Sequence, residues 1–218
     1  MATLYEYYNT GDNSFTNVRS ADWAAQTLTP ATAHKITSVK LKGYRIGFPG
    51  TITVSIRATD GSGHPTGGDL CSGTTNGNTL TPSSPGEWRE ITLGAGYDLE
   101  ASTKYAIVVR ATAGDVDNYF IWRLHIGGTY AGGNVEISAN SGVGWSAEGA
   151  LDAMFEEWGE PVVTAPTVTT QAATNVQATT ARLNGQISND GGEACQYRFR
   201  YKKSGGSYIY TTWTGAKT

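Results

Sequence analysis

The sequence predicts an all-β chain folded as stacked sheets, a sandwich or jelly roll, and three observations carry that prediction. Eight or nine short segments alternate apolar and polar residues with a period of two, as half-buried strands do. Clusters of Gly, Pro, Asn, Asp and Ser separate them, and no segment shows a convincing apolar stripe at helical spacing. Composition agrees: 28 glycines, 12 tyrosines and 6 tryptophans accompany only 16% charged residues. That mixture favours turns and strands over helices, and a parallel α/β sheet is excluded.

Taken in order, Leu4 to Tyr8 reads as a short aromatic first strand, followed by a polar loop from Asn9 to Ser14. In Ala21 to Pro30, Trp23 is expected to anchor the core, because large aromatics dominate core energetics. From Ile36 to Phe48 the apolar set is Val39 and Leu41, then Tyr44, Ile46 and Phe48. Inward parity therefore switches across Lys42-Gly43, and a bulge at Gly43 explains the switch. Pro49-Gly50 predicts a type II turn, with proline fixing the first central φ and glycine supplying the positive φ of the second. A hairpin is expected around it, since Ile52, Val54 and Ile56 resume the alternation at once.

Asp60 to Pro85 reads as linked turns with at most a short strand near Leu70-Cys71. Strands are expected at Trp88 to Leu93, at Lys104 to Thr112 and at Asn118 to Ile126. In the last, Phe120, Trp122, Leu124 and Ile126 share one face, and Tyr119, Ile121, Arg123 and His125 the other. A glycine-rich stretch, Gly127 to Gly144, leads to Ala150 to Trp158, read as a strand although Glu156-Glu157 also suits a short helix.

A length of 218 residues suits two domains. Residues 1–161 carry 10 basic and 17 acidic side chains and residues 162–218 carry 6 and 2, so the parts are −7 and +4 within a net charge of −3. The expected division is a jelly-roll-like sandwich over 1–160, a linker over 161–166 and a second, partial sandwich over 167–218. A net negative chain is poorly suited to nucleic acid, which selects basic faces that displace counterions. No 18-residue apolar run offers a membrane span. Cys71 and Cys195 fall in different parts and are expected as free thiols. The start, MATLYEYYNTGDNSF, lacks the basic and apolar regions of a secretory signal. Either a signal has been removed, or the protein folds in a cytoplasm before export or assembly into a virion.

Several ordered patches carry a family resemblance: WAAQTLT at Trp23 to Thr29, HKITSVKLK, FPGTITVSIRATDGSGHPTG, GEWREITL, YAIVV and LDAMFEEWG. Together, over about residues 5–159, they resemble the choice-of-anchor R type of domain found in microbial and viral surface proteins. That resemblance implies a non-catalytic β-sandwich displayed on a cell or particle, and implies no ligand. From Val162 onward, Ala181, Leu183 and Ile187, the Gly-Gly turn, and Tyr197, Phe199 and Tyr201 resemble the first strands of a bacterial-style fibronectin type III domain, an immunoglobulin-like sandwich. About four of its seven strands are present, so the chain is expected to continue past Thr218, with completion by another chain's strand as the alternative.

The residues offer little catalytic chemistry. GVGWSAEG misses the nucleophile-elbow spacing, and His34, His64 and His125 have no partner at zinc-ligand spacing. Glu156 and Glu157 would face opposite sides of a strand, which suits no glycosidase pair. Calcium is the one inorganic candidate, with no other cofactor expected. Asp115, Asp117 and Asn118 supply oxygens in one turn, and Glu6 with Asp152 would meet if the first and last strands are neighbours. For glycans, which need flat aromatic rings with polar neighbours, the candidates are Tyr119, His125, Tyr130 and Trp145. The expected function is a non-enzymatic virion or cell-surface component that contacts other protein subunits. The alternative is a carbohydrate-binding adhesin.

Overall fold

A computed structural model describes residues 2–192 and 194–217, and the chain divides into two compact units between Glu160 and Pro161. In the first unit the strands are β1 (Thr3–Tyr8), β2 (Ser14–Val18), β3 (Trp23–Leu28), β4 (His34–Ile46), β5 (Thr51–Thr59), β6 (Pro65–Asn76) and β7 (Glu87–Leu99). They are followed by β8 (Tyr105–Arg110), β9 (Tyr119–Ile126), β10 (Val135–Ser138), β11 (Ser146–Glu148), β12 (Leu151–Ala153) and β13 (Phe155–Pro161). One sheet has the order β1-β13-β4-β9-β12, with β2 added on β9 and β7 on β4; the other runs β11-β10-β3-β8-β5-β6. The protein is all-β, as composition and periodicity require.

The period of two explains why these sheets stack. Ile36, Val39, Leu41, Phe120, Trp122, Leu124 and Phe155 from the first sheet share a buried core with Leu28, Ile52, Val54, Ile56, Ile107 and Val109 from the second. Trp122 is fully buried, and its indole N–H donates to the Met154 carbonyl at 3.0 Å. Gln26, also fully buried, faces the same interior and accepts the Ala153 amide of the opposite sheet at 2.7 Å. A buried amide without partners would be costly; here it joins the layers.

Several expectations are corrected. Pro49-Gly50 does not close a hairpin, because β4 lies in one sheet and β5 in the other. Gly50 does take a positive φ of 74°, but it serves a corner between layers. The hairpin in this region is β5 with β6, closed at Asp60 to His64 by the Asp60 amide on the His64 carbonyl at 2.9 Å. The stretch read as turns thus contains the 12-residue strand β6. As the edge strand of its sheet, β6 buries little and needs few apolar residues, so periodicity misses it. Strand β10, inside the glycine-rich stretch, has only four residues, too few for a period of two to show.

The irregularity of β4 falls between Ile36 and Ser38, not at Gly43. Inward parity therefore continues through Val39, Leu41 and Gly43, leaving Tyr44 and Ile46 half-buried on the other face and Phe48 67% exposed. Gly43 is glycine for a packing reason: a Cβ there would sit 2.4 Å from the Ile121 carbonyl oxygen and 2.4 Å from the Phe120 ring. Trp23 is not in the main core. It packs half-buried against the small Ala25, Ala106 and Val108 cluster, with Arg57 and Arg110 5.5 and 5.3 Å from its ring centroid.

In the second unit, β14 (Thr167–Thr174) pairs with β15 (Arg182–Asn189), β16 (Cys195–Tyr197) with β19 (Thr214–Lys217), and β17 (Arg200–Tyr201) with β18 (Ile209–Tyr210). Leu183, Ile187, Tyr197 and Phe199 line an open cleft of about 890 Å³. Its apolar face is thus only partly covered. Both cysteines are free thiols, and no helix among the described residues is long and apolar enough to cross a membrane.

Gly43→Ala is expected to destabilise the protein by about 1–3 kcal/mol through overpacking. Gly61→Ala, where a Cβ meets nothing within 4 Å, should stay within about 0.5 kcal/mol of wild type. Urea denaturation of the two variants measures both, and equal midpoints would show that the Phe120 contact does not constrain position 43.

Candidate functional site

The sequence candidates separate into three places. His125 and Tyr130 come together around Tyr8: the Tyr8 hydroxyl and His125 Nδ1 share a hydrogen bond of 2.5 Å, and the Tyr8 and Tyr130 rings are 6.5 Å apart. Tyr119 lies apart from them, with the Arg19 guanidinium 5.6 Å from its ring centroid. Trp145 belongs to the other sheet's outer face, where it packs on Ala25, Ala106 and Val108. The four aromatics therefore form no common platform.

Tyr130 is a structural post. Its amide donates to Asp152 Oδ2 at 2.9 Å and its hydroxyl donates to Glu6 Oε2 at 2.9 Å, while its ring stands edge-on to Phe155 at 5.3 Å. Burial first, then the neighbouring Glu6 charge, pushes the phenol up. The two acids proposed to share calcium are thus spanned by one tyrosine. Glu6 Oε1 also accepts the Ala31 amide at 3.1 Å, and burial pushes the Asp152 carboxyl up.

The second calcium candidate is closed on itself. Asp115 Oδ1 accepts the Asp117 amide at 2.8 Å and Asn118 Nδ2 at 2.9 Å, and Asn118 Oδ1 accepts the Phe48 amide at 2.8 Å. This is an Asx-type turn that seats the corner after β4. Its N–H donors hold the Asp115 carboxyl below the ordinary range. Among the described residues, no three His, Cys, Asp or Glu side chains converge on a possible metal position.

Three polar constellations escaped the sequence reading, because each joins residues far apart in the chain. On one sheet, Asp12 binds Lys42 at 2.6 Å and also Arg123. Burial raises its carboxyl, but those two partners outweigh burial and hold it low. At the edge of the core, His34 Nε2 lies 2.9 Å from both oxygens of Glu157, with both side chains fully buried, and Tyr5 stacks on the imidazole at 3.7 Å. Alternation does place Glu156 and Glu157 on opposite faces: Glu157 is buried, while Glu156 accepts the Trp158 indole N–H at 3.0 Å.

The third constellation adjoins an open cleft of about 370 Å³. One wall is the turn of the β5–β6 hairpin, with Arg57, Asp60, His64 and Thr66; the other is the loop between β10 and β11, with Gly142 and Trp145. Asp60 Oδ1 accepts the Ser62 and His64 amides at 2.9 and 3.0 Å, which fixes the turn. His64 Nδ1 meets Glu136 Oε2 at 2.7 Å, and Asn134 donates to Glu136 Oε1 at 3.0 Å. That bond to Glu136 is the chief cause of the raised His64 pKa. An oriented histidine could move a proton, and among the described residues no hydroxyl or thiol bonds to it.

The His34–Glu157 pair gives a pH prediction. His34 is raised because the Glu157 hydrogen bond and charge overcome the lowering effect of burial, and Glu157 is raised chiefly by burial. A raised folded pKa contributes stability that is full below the unfolded pKa and lost as pH climbs through the folded one. The loss begins above 4.5 for Glu157 and above 6.5 for His34. Melting temperature should therefore fall between about pH 5 and about pH 9 more steeply in wild type than in the His34→Gln, Glu157→Gln double variant. Equal slopes would assign the pH dependence elsewhere.

No family model and no curated protein matches this chain, so its functional reading rests on the geometry above.

Proposed function

We propose that this chain is a non-enzymatic display or scaffold protein of a virion or microbial surface, acting through contacts with other protein subunits. The observation that carries this reading is the surface of the second unit. Tyr201, Tyr208, Ile209, Tyr210 and Trp213 are each 45–57% exposed. Arg198 lies 4.4 Å from the Tyr210 ring centroid and 4.6 Å from that of Trp213, and Arg200 lies 4.7 Å from that of Tyr208. Tyr, Trp and Arg are the side chains that dominate interface hot spots, and cation–π contact holds them ready for a partner. The jelly-roll and fibronectin type III descriptions, and membership of the choice-of-anchor R type, belong to this proposal.

Carbohydrate binding is the second reading, favoured by one observation: Trp145 lines a cleft that also holds Arg57, Asp60 and His64. Polar groups convergent beside an aromatic ring are what a sugar requires.

Mass measurement on material from the native source tests the first reading. A large assembly is expected, and a strict monomer would sink it. In such an assembly, Trp213→Ala or Tyr210→Ala should weaken subunit association about tenfold or more, the effect of losing a hot-spot aromatic.

A further inference from the structure

We propose that the cleft between the β5–β6 turn and the β10–β11 loop is a subsite for one neutral hexopyranose unit of a glycan, with its ring against Trp145 and its hydroxyls on His64 and Asp60. This inference rests on the carbohydrate-binding reading and assigns its site and ligand class.

Trp145 carries the first argument. Trp23, Trp122 and Trp158 each donate their indole N–H to an oxygen, of Ser20, Met154 and Glu156 respectively. The Trp145 indole N–H is buried and has no partner among the described residues. Burying such a donor without a partner is unfavourable, and a small shift of the β10–β11 loop that uncovers it would let a sugar oxygen accept it. The ring is held in place by packing on Ala25, Ala106 and Val108, with Gly142 beside its edge: a Cβ at Gly142 would approach Trp145 Cζ2 to 3.5 Å and the Trp23 ring to 2.8 Å. A ring already fixed by the sheet loses little freedom when a ligand stacks on it.

His64 and Asp60 carry the second. The Glu136 carboxylate, 2% exposed, takes His64 Nδ1, leaving Nε2 as the ring nitrogen available to a ligand. The amides of Ser62 and His64 take Asp60 Oδ1, leaving Oδ2 as an acceptor for a hydroxyl donor. Both groups are thus oriented before any ligand binds.

Charge selects a neutral ligand. Arg57 is committed to Asp69 at 2.8 Å and His64 to Glu136 at 2.7 Å, so each basic group already faces a carboxylate. Among the described residues no cationic side chain bonds Asp60, and its charge would repel an acidic sugar. The cleft volume of about 370 Å³ lies at the small end of ligand sites, which suits one sugar ring rather than a long chain.

The test is calorimetry of the whole protein with methyl glycosides of neutral hexoses and with the matching uronates, repeated on Trp145→Phe and on Thr66→Tyr. Thr66 is an exposed cleft residue on the edge strand, so its replacement blocks the cleft even if the Trp145 variant folds poorly. A neutral glycoside should bind, lose tenfold or more in affinity in Thr66→Tyr, and outbind its uronate at least tenfold. Binding unchanged in Thr66→Tyr would overturn the site while leaving carbohydrate binding intact. Preference for the uronate would overturn the ligand class. No binding of any glycoside by the wild-type protein would overturn both this inference and the reading it rests on.

Discussion

Two sheets can stack only if their inner faces exclude water and leave no polar group stranded, and the fully buried indole of Trp122 meets both demands. Its rings fill the space between layers, while its N–H is satisfied by the Met154 carbonyl at the junction of β12 and β13. The same main-chain position ties neighbouring strands together, since the Met154 amide donates to the Arg123 carbonyl at 2.9 Å and its carbonyl accepts the Lys42 amide at 3.2 Å. Apolar burial supplies the driving force, and this hydrogen-bonded node sets where three strands meet.

Polar residues inside the sandwich follow the same rule in different ways. Gln26 is neutral, so a hydrogen bond across the layers suffices. His34 and Glu157 carry charge in the ionised pair, and desolvating two charges is offset only by close contact and by further hydrogen bonds. The Thr32 carbonyl, 2.8 Å from His34 Nδ1, and the stacked Tyr5 ring complete that environment. Such a pair favours one registration of β4 against β13. On the outer faces the constraint relaxes, and there Arg57, Arg110 and Asp69 form an ion-paired group flanking Trp23. With the core held by buried contacts, the hairpin turn and the glycine-rich loop can form walls around open space.

Much of the fold was legible, and the exceptions share a cause. Strands whose large apolar residues recur at every second position, such as β5, β8 and β9, announce themselves by alternation. The edge strand β6 does not, because Leu70 and Cys71 are nearly its whole apolar content and its polar face meets solvent. Pro49-Gly50 announced a reversal correctly, but local turn chemistry carries no information about whether the next strand joins the same sheet or the facing one. Of the site, Trp145 was legible as an aromatic in a glycine-rich loop. Its companions were not: Glu136 is 72 residues from His64, and nothing in either local sequence signals the other.

The sequence by itself determined the all-β character, the break in charge and composition near Pro161, the inward sets Ile52, Val54 and Ile56 of β5 and Phe120, Trp122 and Leu124 of β9, and the opposition of Glu156 to Glu157. Each follows from local backbone preference or from a period of two along one strand. Tertiary structure alone decided the sheet to which each strand belongs, the corner after β4, the role of Gly43 beneath Phe120, and the pairings of His34 with Glu157 and His64 with Glu136. Those depend on contacts between residues distant in the chain, whose partners exist only after the two layers have closed on a common core.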